Sequence, residues 1–409
     1  MRLLMVSGDR QVAVGEKGPF HSMQREFSRY FERIDVLCPR PAGEITVRTI
    51  FDRVHFHPAA CGRLGMARYI AERGAELVAE HGHGLIVSHD YGWFYNGIGS
   101  ARLSRATGVP YLSEIHHVPG HPVPADLRER FDKLVARTYV RWARDRAAAF
   151  RVVNRGEMPP LLEGWGVPAS KVLVLPSLYI DLEVFRPRRP CAADDPAQPS
   201  ASTDAGAAGS RRSDHHADDD SHIEQDVVFV GRLVSNKGVL RIAEALARLR
   251  ETTGRSPRAL FVGKGPLGPQ LRERVRALGL AETTRFLDWV ESPEDLAEIY
   301  RRSRVCVCAS TCEGGPRFTV EAMACATPVV STPVGVMSEL VREGVTGALC
   351  GFDVASLADA LGRVLRDEAA RRAMGRQAHA DVQRFEYAAA LRGYAEGLIE
   401  LAGRAQGTR

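Results

Sequence analysis

No stretch of this chain approaches the roughly 18 consecutive apolar residues that a membrane span requires. Charge of one sign is also missing. Lys+Arg 55 against Asp+Glu 50 leaves +5, too little for this length to argue for a nucleic-acid partner. The eight cysteines (38, 61, 191, 306, 308, 312, 325 and 350) show no paired spacing. They read as reduced thiols of a cytoplasmic protein rather than a disulfide framework. Met1 to Asp9 carries one positive charge and an apolar run too short for a signal peptide, so it reads as a first buried strand. Between Cys191 and His222 there is no Val, Leu, Ile, Met, Phe, Tyr or Trp. Such a segment has too little apolar surface to offset its ordering entropy, which predicts a flexible linker or insertion.

What is present is an ordinary globular composition, 44% hydrophobic and 26% charged over 409 residues, enough for two or three domains. The apolar-poor segment, taken as 189–225, separates an N-terminal domain (1–188) from a C-terminal one (226–385). Residues 386–409 read as a C-terminal helix that packs back on the first domain. His215, His216 and His222 lie among Asp214 and Asp218 to Asp220, where a solvated loop is favoured over a metal site.

Each half alternates short apolar runs with helical patterns. Strands are predicted at Leu3–Ser7, Asp35–Cys38, Leu85–His89, Tyr111–His116, Ala149–Val153 and Val172–Leu175 in the first half. In the second they fall at Val227–Val230, Ala259–Val262, Phe286–Leu287, Val305–Cys308, Val329–Thr332 and Ala348–Cys350. The runs are almost continuously apolar, as strands covered on both faces must be. Ser292-Pro293-Glu294-Asp295 reads as a helix start, and Gly279 as a helix stop. The pattern defines an α/β protein with two doubly wound parallel sheets facing across a cleft. Ligands of such sheets bind beyond the carboxyl ends of the strands.

Three loops in those places carry chemistry. Gly231-Arg232-Leu233-Val234-Ser235-Asn236-Lys237-Gly238 sets two cations beside a helix start, with Ser235 or Asn236 as its cap, which suits a diphosphate. Taken alone it is equally a solvated loop. Gly263-Lys264-Gly265-Pro266 allows a close backbone approach, with Pro266 in a first helical turn, but lacks the third glycine of a dinucleotide fingerprint. Ala309 to Ala324 places Glu313 at a strand end beside Gly314, and Glu321 in the first turns of a helix opened by Phe318 and Thr319. A polyol joined to a phosphate needs both carboxylates and free helix amides.

Val227 to Val341 resembles the C-terminal half of retaining, nucleotide-sugar-dependent glycosyltransferases of family 4 (glycosyl transferases group 1), which have the two-domain GT-B fold. Glu313 and Glu321 match that family's glutamates separated by seven residues. Val230 to Gly238 matches Val-Gly-Arg-Leu…Lys-Gly, and Val262 to Leu267 matches Val-Gly-x-Gly-Pro-Leu. Leu287-x-Trp289-Val290, Leu296 to Tyr300 and Ala322-Met323-Ala324…Thr327 to Ser331 follow in register. In the first half, Gly108-Val109-Pro110 counts forward to His116 as the family's strand-end histidine, with His117 the near alternative. Gly15-Glu16-Lys17-Gly18 stands at the usual glycine loop but departs from the common Gly-Gly pair. Pro176 to Phe185 replaces the frequent Pro-Asn-Gly-Val-Asp…Phe.

The resemblance implies two Rossmann-like domains and transfer of a sugar with retention. Arg232, Lys237 and Gly231, with amides near Gly314, Phe318 and Thr319, would hold the diphosphate. Glu313 would contact donor-sugar hydroxyls, Glu321 the ribose, and His116 the sugar from the opposite domain. The base would lie by Val290, with Gly263 and Gly265 giving room, and Gly15 would line the donor site. No Asp-x-Asp occupies a suitable loop, so neither metal nor cofactor is expected. Expected partners are a nucleotide-diphosphate sugar and a lipid-linked, saccharide or small-molecule acceptor of glycolipid, polysaccharide or envelope synthesis, without nucleic acid. The alternatives are a non-catalytic GT-B partner subunit and a GT-B epimerase or phosphorylase.

Four further features remain. His55-x-His57 reads as alternation on an exposed strand rather than a metal site. Cys306 and Cys308 should share one side of a buried strand, with Cys312 nearby. Trp93, Phe94 and Tyr95 suit either core packing or an acceptor pocket. Between Ala125 and Arg151, eight basic residues (Arg128, Arg130, Lys133, Arg137, Arg141, Arg144, Arg146, Arg151) stand against four acids, an excess of +4. Leu127, Phe131, Leu134, Val135 and Trp142 recur there at helical spacing. Two readings follow: a helix packed on its own domain, or a basic face on the inner surface of an anionic membrane.

Overall fold

The computed structural model describes residues 1–188 and 223–407. Apart from residues 223–225, the expected linker, with Cys191, His215, His216 and His222, lies outside the described residues.

Two sheets organise the chain. The first contains β1 (Arg2–Val6), β2 (Arg33–Cys38), β3 (Thr49–Ile50), β4 (Val54–Pro58), β5 (Leu85–His89), β6 (Tyr111–Glu114), β7 (Ala149–Val152) and β8 (Val172–Val174), in the order β3-β4-β2-β1-β5-β6-β7-β8. All pairings are parallel except β3 with β4. The second contains β9 (Gln225–Val230), β10 (Ala259–Val262), β11 (Thr284–Leu287), β12 (Ser303–Cys308), β13 (Val329–Ser331) and β14 (Gly347–Leu349). Its order is β11-β10-β9-β12-β13-β14, all parallel, which is the doubly wound 3-2-1-4-5-6 arrangement. The helices are α1 (Pro19–Phe27), α2 (Met66–His81), α3 (Tyr95–Thr107), α4 (Leu127–Ala143), α5 (Met158–Gly164), α6 (Val239–Thr253), α7 (Gly268–Ala277), α8 (Pro293–Arg301), α9 (Arg317–Ala324), α10 (Met337–Leu340), α11 (Val354–Arg366), α12 (Glu368–Val382) and α13 (Tyr387–Gly407).

Side-chain alternation explains why the strands are apolar throughout. Leu3 and Met5 of β1 enter one core, Leu4 and Val6 the other. In β12, Val305 and Val307 face one layer, while Cys306 and Cys308 share the opposite one. The strand expected to be exposed at His55 and His57 is β4, which lies inside the sheet between β2 and β3 with both histidines half-buried. It pairs with β2, and His57 bonds through Nε2 to buried Asp35 at 2.8 Å.

Local signals set several helix ends. Ser292 Oγ accepts from the Asp295 amide at 3.0 Å with Pro293 opening α8. Gly279 follows α7 at φ +65°. Two expectations are corrected. Ser235 to Lys237 form a 3-10 turn, so α6 is entered through Gly238 and neither Ser235 nor Asn236 caps it. Pro266 precedes α7, where Pro269 takes the first turn instead.

The domain boundaries shift slightly. Leu178, Ile180 and Phe185 pack in the second core, so the chain crosses over before residue 188, and β9 already begins at Gln225. Helix α13 crosses back. Its Leu391, Tyr394, Ala395, Leu398 and Ala402 share a core with Leu3 and Met5 of β1.

Helix α4 departs most from its sequence pattern. Its buried face is Ala136, Tyr139, Val140 and Ala143. Leu127, Phe131 and Leu134 are instead 78%, 51% and 57% exposed. Arg151 does not belong to the basic face, because β7 buries it completely.

Candidate active site between the two sheets

In the second sheet, connections leave in opposite directions from β9 and β12, which opens a crevice between their loops. The loops are tied together by the Thr311 amide, which donates to Asn236 O at 2.8 Å. At this point Lys237 forms an ion pair with Glu313 Oε1, both side chains only 13% exposed. Ser310 Oγ donates to the same oxygen at 2.8 Å. The ammonium also lies 5.8 Å from the centroid of the Phe318 ring. Arg232 stands exposed at the start of the same β9 loop.

Gly263 adopts φ +134°, and a Cβ there would come within 2.0 Å of Gly231 O. A Cβ on Gly265 would come within 2.3 Å of Leu233 O. The glycines therefore let two loops of the protein meet, the close backbone approach that the sequence allowed. Val290 follows β11, half-buried, beside an exposed Trp289.

On α9, Glu321 is buried. Oε1 accepts from Arg317 Nε at 2.8 Å and Oε2 from the Tyr300 hydroxyl at 3.3 Å. Burial raises its pKa, opposed by Arg317 and Tyr300. Phe318 and Thr319 are also buried. The Thr319 amide already donates to Pro316 O at 3.1 Å, so it is not one of the free helix amides expected there.

The first domain brings His116 and His117 to the other wall. A Cβ on Gly314 would come within 2.3 Å of His116 O, so glycine lets the Glu313 loop lie against this backbone. Cys312 Sγ donates to Val118 O at 3.1 Å across the same junction. His116 is half-buried and His117 exposed at the cleft mouth, and partial desolvation there lowers both pKa values. Their charged neighbours differ. His116 faces Glu114, Arg151 and His89, whereas His117 senses Glu313, Lys237 and Arg232 across the cleft. Gly15 lies in the loop after β1, where a side chain would meet Thr46 Oγ1 of its own domain at 3.3 Å.

A reciprocal clasp at the same junction carries no sequence signature. Glu157 accepts from the Gly335 amide, and Glu339 Oε1 accepts from the Arg155 and Gly156 amides at 2.6 and 2.9 Å. The sequence also missed Glu114 and Arg151, joined at 3.0 Å behind His116. Among the described residues, no group of three or more His, Cys, Asp or Glu is disposed to hold a metal ion.

Two tandem doubly wound domains whose loops meet across a crevice define the GT-B class. The profile described as "Glycosyl transferases group 1" matches residues 212–381, and "Glycosyl transferase 4-like domain" matches residues 20–177. The chain belongs to this family, the family 4 glycosyltransferases. The D-inositol 3-phosphate glycosyltransferase of Nocardia farcinica is 38% identical over 185 residues, 43% of this chain and 40% of that protein. Its namesake from Kribbella flavida is 34% identical over 168 residues, 39% of each. The chain thus spans about two fifths of the length of the curated relatives it matches. Among solved structures, sucrose-phosphate synthase from Thermosynechococcus elongatus superimposes with a TM-score of 0.73 at 19% identity, over 98% of this chain and 99% of that one. Anabaena HepE in complex with UDP and glucose gives 0.69 at 20%, over 98% and 100%. At these identities the likeness establishes the fold.

Proposed function

We propose that the chain transfers a sugar from a nucleoside diphosphate donor to an acceptor hydroxyl with retention of anomeric configuration. The observation that carries this reading is the half-buried Lys237–Glu313 pair at the β9/β12 crevice, with two histidines on the facing wall. As the sugar–phosphate bond breaks, the leaving diphosphate gathers negative charge and the anomeric carbon becomes oxocarbenium-like. A cation already fixed in place stabilises that charge without reorganising. Glu313 holds Lys237 in position and presents its remaining oxygen to donor hydroxyls. Arg232 adds a second cation. Glu321 meets the ribose, with the base by Val290. The leaving phosphate takes the acceptor proton on the same face, so the carboxylate pair of a glycosidase is not required. Neither metal nor cofactor enters this scheme.

UDP-sugars are the donors to try first, because HepE was solved with UDP and with UDP-glucose. A phosphorylated polyol is the first acceptor, from the name shared by the curated relatives. The test is release of nucleoside diphosphate from a panel of nucleotide sugars, with product anomers read by NMR and a chelator present in one arm. Turnover that survives chelation, with retained configuration, is expected. Inverted product or chelator-sensitive turnover would overturn the respective part. Failure to turn over any donor would favour the non-catalytic subunit.

A surface observation favours peripheral contact with an anionic membrane, and with it a lipid-linked or envelope acceptor. No helix among the described residues is long and apolar enough to cross a membrane. Leu127, Phe131 and Leu134, spaced i, i+4, i+7 on α4, are exposed with Trp93, whose ring lies 6.1 Å from Phe131. Arg128, Arg130, Arg137 and Arg141 are exposed on the same helix. Apolar side chains entering the interface while arginines meet lipid phosphates is the usual basis of such binding.

A further inference from the structure

We propose that Glu114, Arg151 and Tyr394 form a buried positioning cluster that fixes the tautomer and orientation of His116. The last helix of the chain thereby completes the first-domain wall of the site. The inference rests on the reading of His116 as the histidine that meets the donor sugar.

Glu114 ends β6 and Arg151 is its register partner on β7. Their side chains are 0% and 1% exposed and joined at 3.0 Å. An ion pair taken wholly out of water gains little stability over well-packed apolar residues, and persists only when its remaining hydrogen-bonding capacity is met. On the arginine it is met in a directed way, while Glu114 Oε2 is left without a hydrogen-bond partner. Arg151 Nε donates to Leu175 O at 3.0 Å and Nη2 to Pro176 O at 2.9 Å, where the chain leaves the first domain. Nη1 serves Glu114 Oε1 at 3.0 Å and lies 3.3 Å from His116 Nε2.

A guanidinium only donates. Nε2 of His116 therefore accepts, and the proton of the neutral ring resides on Nδ1, leaving Nδ1–H as the ring's donor. Desolvation at the cleft wall, assisted by the Arg151 charge and opposed by Glu114, lowers the pKa of this 43% exposed ring and so favours its neutral form. Glu114 Oε2 lies 3.0 Å from His89 Nε2 and 3.8 Å from His116 Nε2. A small rotation of that carboxylate would bring it onto His116 and favour the opposite tautomer.

Tyr394 opposes that rotation. Its hydroxyl donates to Glu114 Oε1 from α13, 280 residues away in sequence. Its ring lies 3.7 Å from the Arg151 guanidinium carbon, with Phe27 packed against it at 5.0 Å between centroids. One tyrosine thus holds both the acid and the base behind His116.

The test uses full-length protein with 15N-labelled histidine. Long-range proton–nitrogen correlation reads the His116 tautomer, assigned with His116→Ala. The wild type is expected to show the Nδ1–H form. Tyr394→Phe keeps the ring, so folding is checked by a single cooperative melting transition, lowered only by the lost hydrogen bond. The variant is expected to populate the Nε2–H or doubly protonated form and to lose about tenfold in kcat, the scale of one hydrogen bond to a buried charge, with the donor KM little changed. Glu114→Gln, which retains an acceptor for Tyr394 but loses the charge, is expected to move the spectrum less than Tyr394→Phe. A wild-type Nε2–H ring would overturn the proposal, as would a Tyr394→Phe spectrum and turnover identical to wild type. If the spectra behave as expected while His116→Ala transfers normally, the cluster stands and the role of His116 in transfer fails.

Discussion

Lys237 and Glu313, 76 residues apart in sequence, form one ion pair because β9 and β12 are neighbours in the second sheet. Neither residue is unusual alone, since a lysine in a loop and a glutamate after a strand are both common on surfaces. Adjacency at the point where the strand order reverses gives the pair its character. The cation is held by the carboxylate and lies over the Phe318 ring, and both side chains are largely withdrawn from water.

From that geometry, Lys237→Ala should lower kcat by roughly two orders of magnitude, the scale for removing one fixed stabiliser of transition-state charge. Arg232→Ala should fall in the same range but respond more to salt, because Arg232 is exposed. Steady-state rates at two ionic strengths are the measurement. Near-wild-type rates in both variants would place the diphosphate elsewhere.

The two glutamates should separate by function. Glu313→Gln is expected to cut turnover while leaving affinity for free nucleoside diphosphate nearly intact, because its proposed contact is the sugar. Glu321→Ala is expected to weaken that affinity and also to release Arg317 and Tyr300 from their shared acceptor. Calorimetric titration distinguishes them, and an equal loss of affinity would refute the division of roles.

The interdomain clasp makes a signed prediction about pH. Burial pushes Glu157 up to about 7, with the Gly335 amide opposing and Glu313 adding to the rise, while Lys133 opposes. A carboxyl whose folded pKa exceeds its unfolded value stabilises fully below the unfolded value, and that stability is lost as pH rises through about 7. Glu157→Gln should therefore raise the melting temperature relative to wild type at pH 8 and not at pH 5. Asp90, held at about 7 by burial, has the same sign, so the variant should reduce the slope without abolishing it. A constant difference between variant and wild type at both pH values would rule out this role for Glu157.

Membrane contact through α4 predicts sedimentation with anionic but not neutral vesicles, weakened by salt. Replacing Arg137, Arg141 and Arg144 by Glu should abolish it, and Trp93→Ser with Phe131→Ser should weaken it at any salt concentration. Equal recovery in the supernatant with both lipids at low salt would leave α4 without a membrane role.

Much of the fold was legible because parallel strands covered on both faces leave continuous apolar runs. Five strands of the second sheet stood out in this way, and β11 only through Phe286 and Leu287, because Thr284 and exposed Arg285 open it. Strand β4 was legible only as an exposed strand, since His55 and His57 break its apolar run. The α4 stripe misled for a different reason. Periodicity identifies apolar residues that share a face, but the neighbouring elements decide whether that face is covered. Here the sheet took the face of Ala136, Tyr139, Val140 and Ala143, whose smaller members let the helix approach closely. In the loops, Arg232, Lys237, Glu313 and Glu321 were legible from residue type and spacing. The carboxylates behind and between the domains were not, because Glu114, Glu157 and Glu339 lie in no local pattern.

The sequence by itself determined the two parallel α/β domains, the loops that hold the chemistry and the family, since each is written in local apolar periodicity and short spacings. The tertiary structure decided which of those residues meet. It paired Lys237 with Glu313 through strand order, set Gly314 against the His116 backbone, and carried Tyr394 across the chain to Glu114. Such contacts depend on sheet order and on the return of α13. Those are set by burial of whole faces against one another, a property of the assembled fold that no short window of sequence contains.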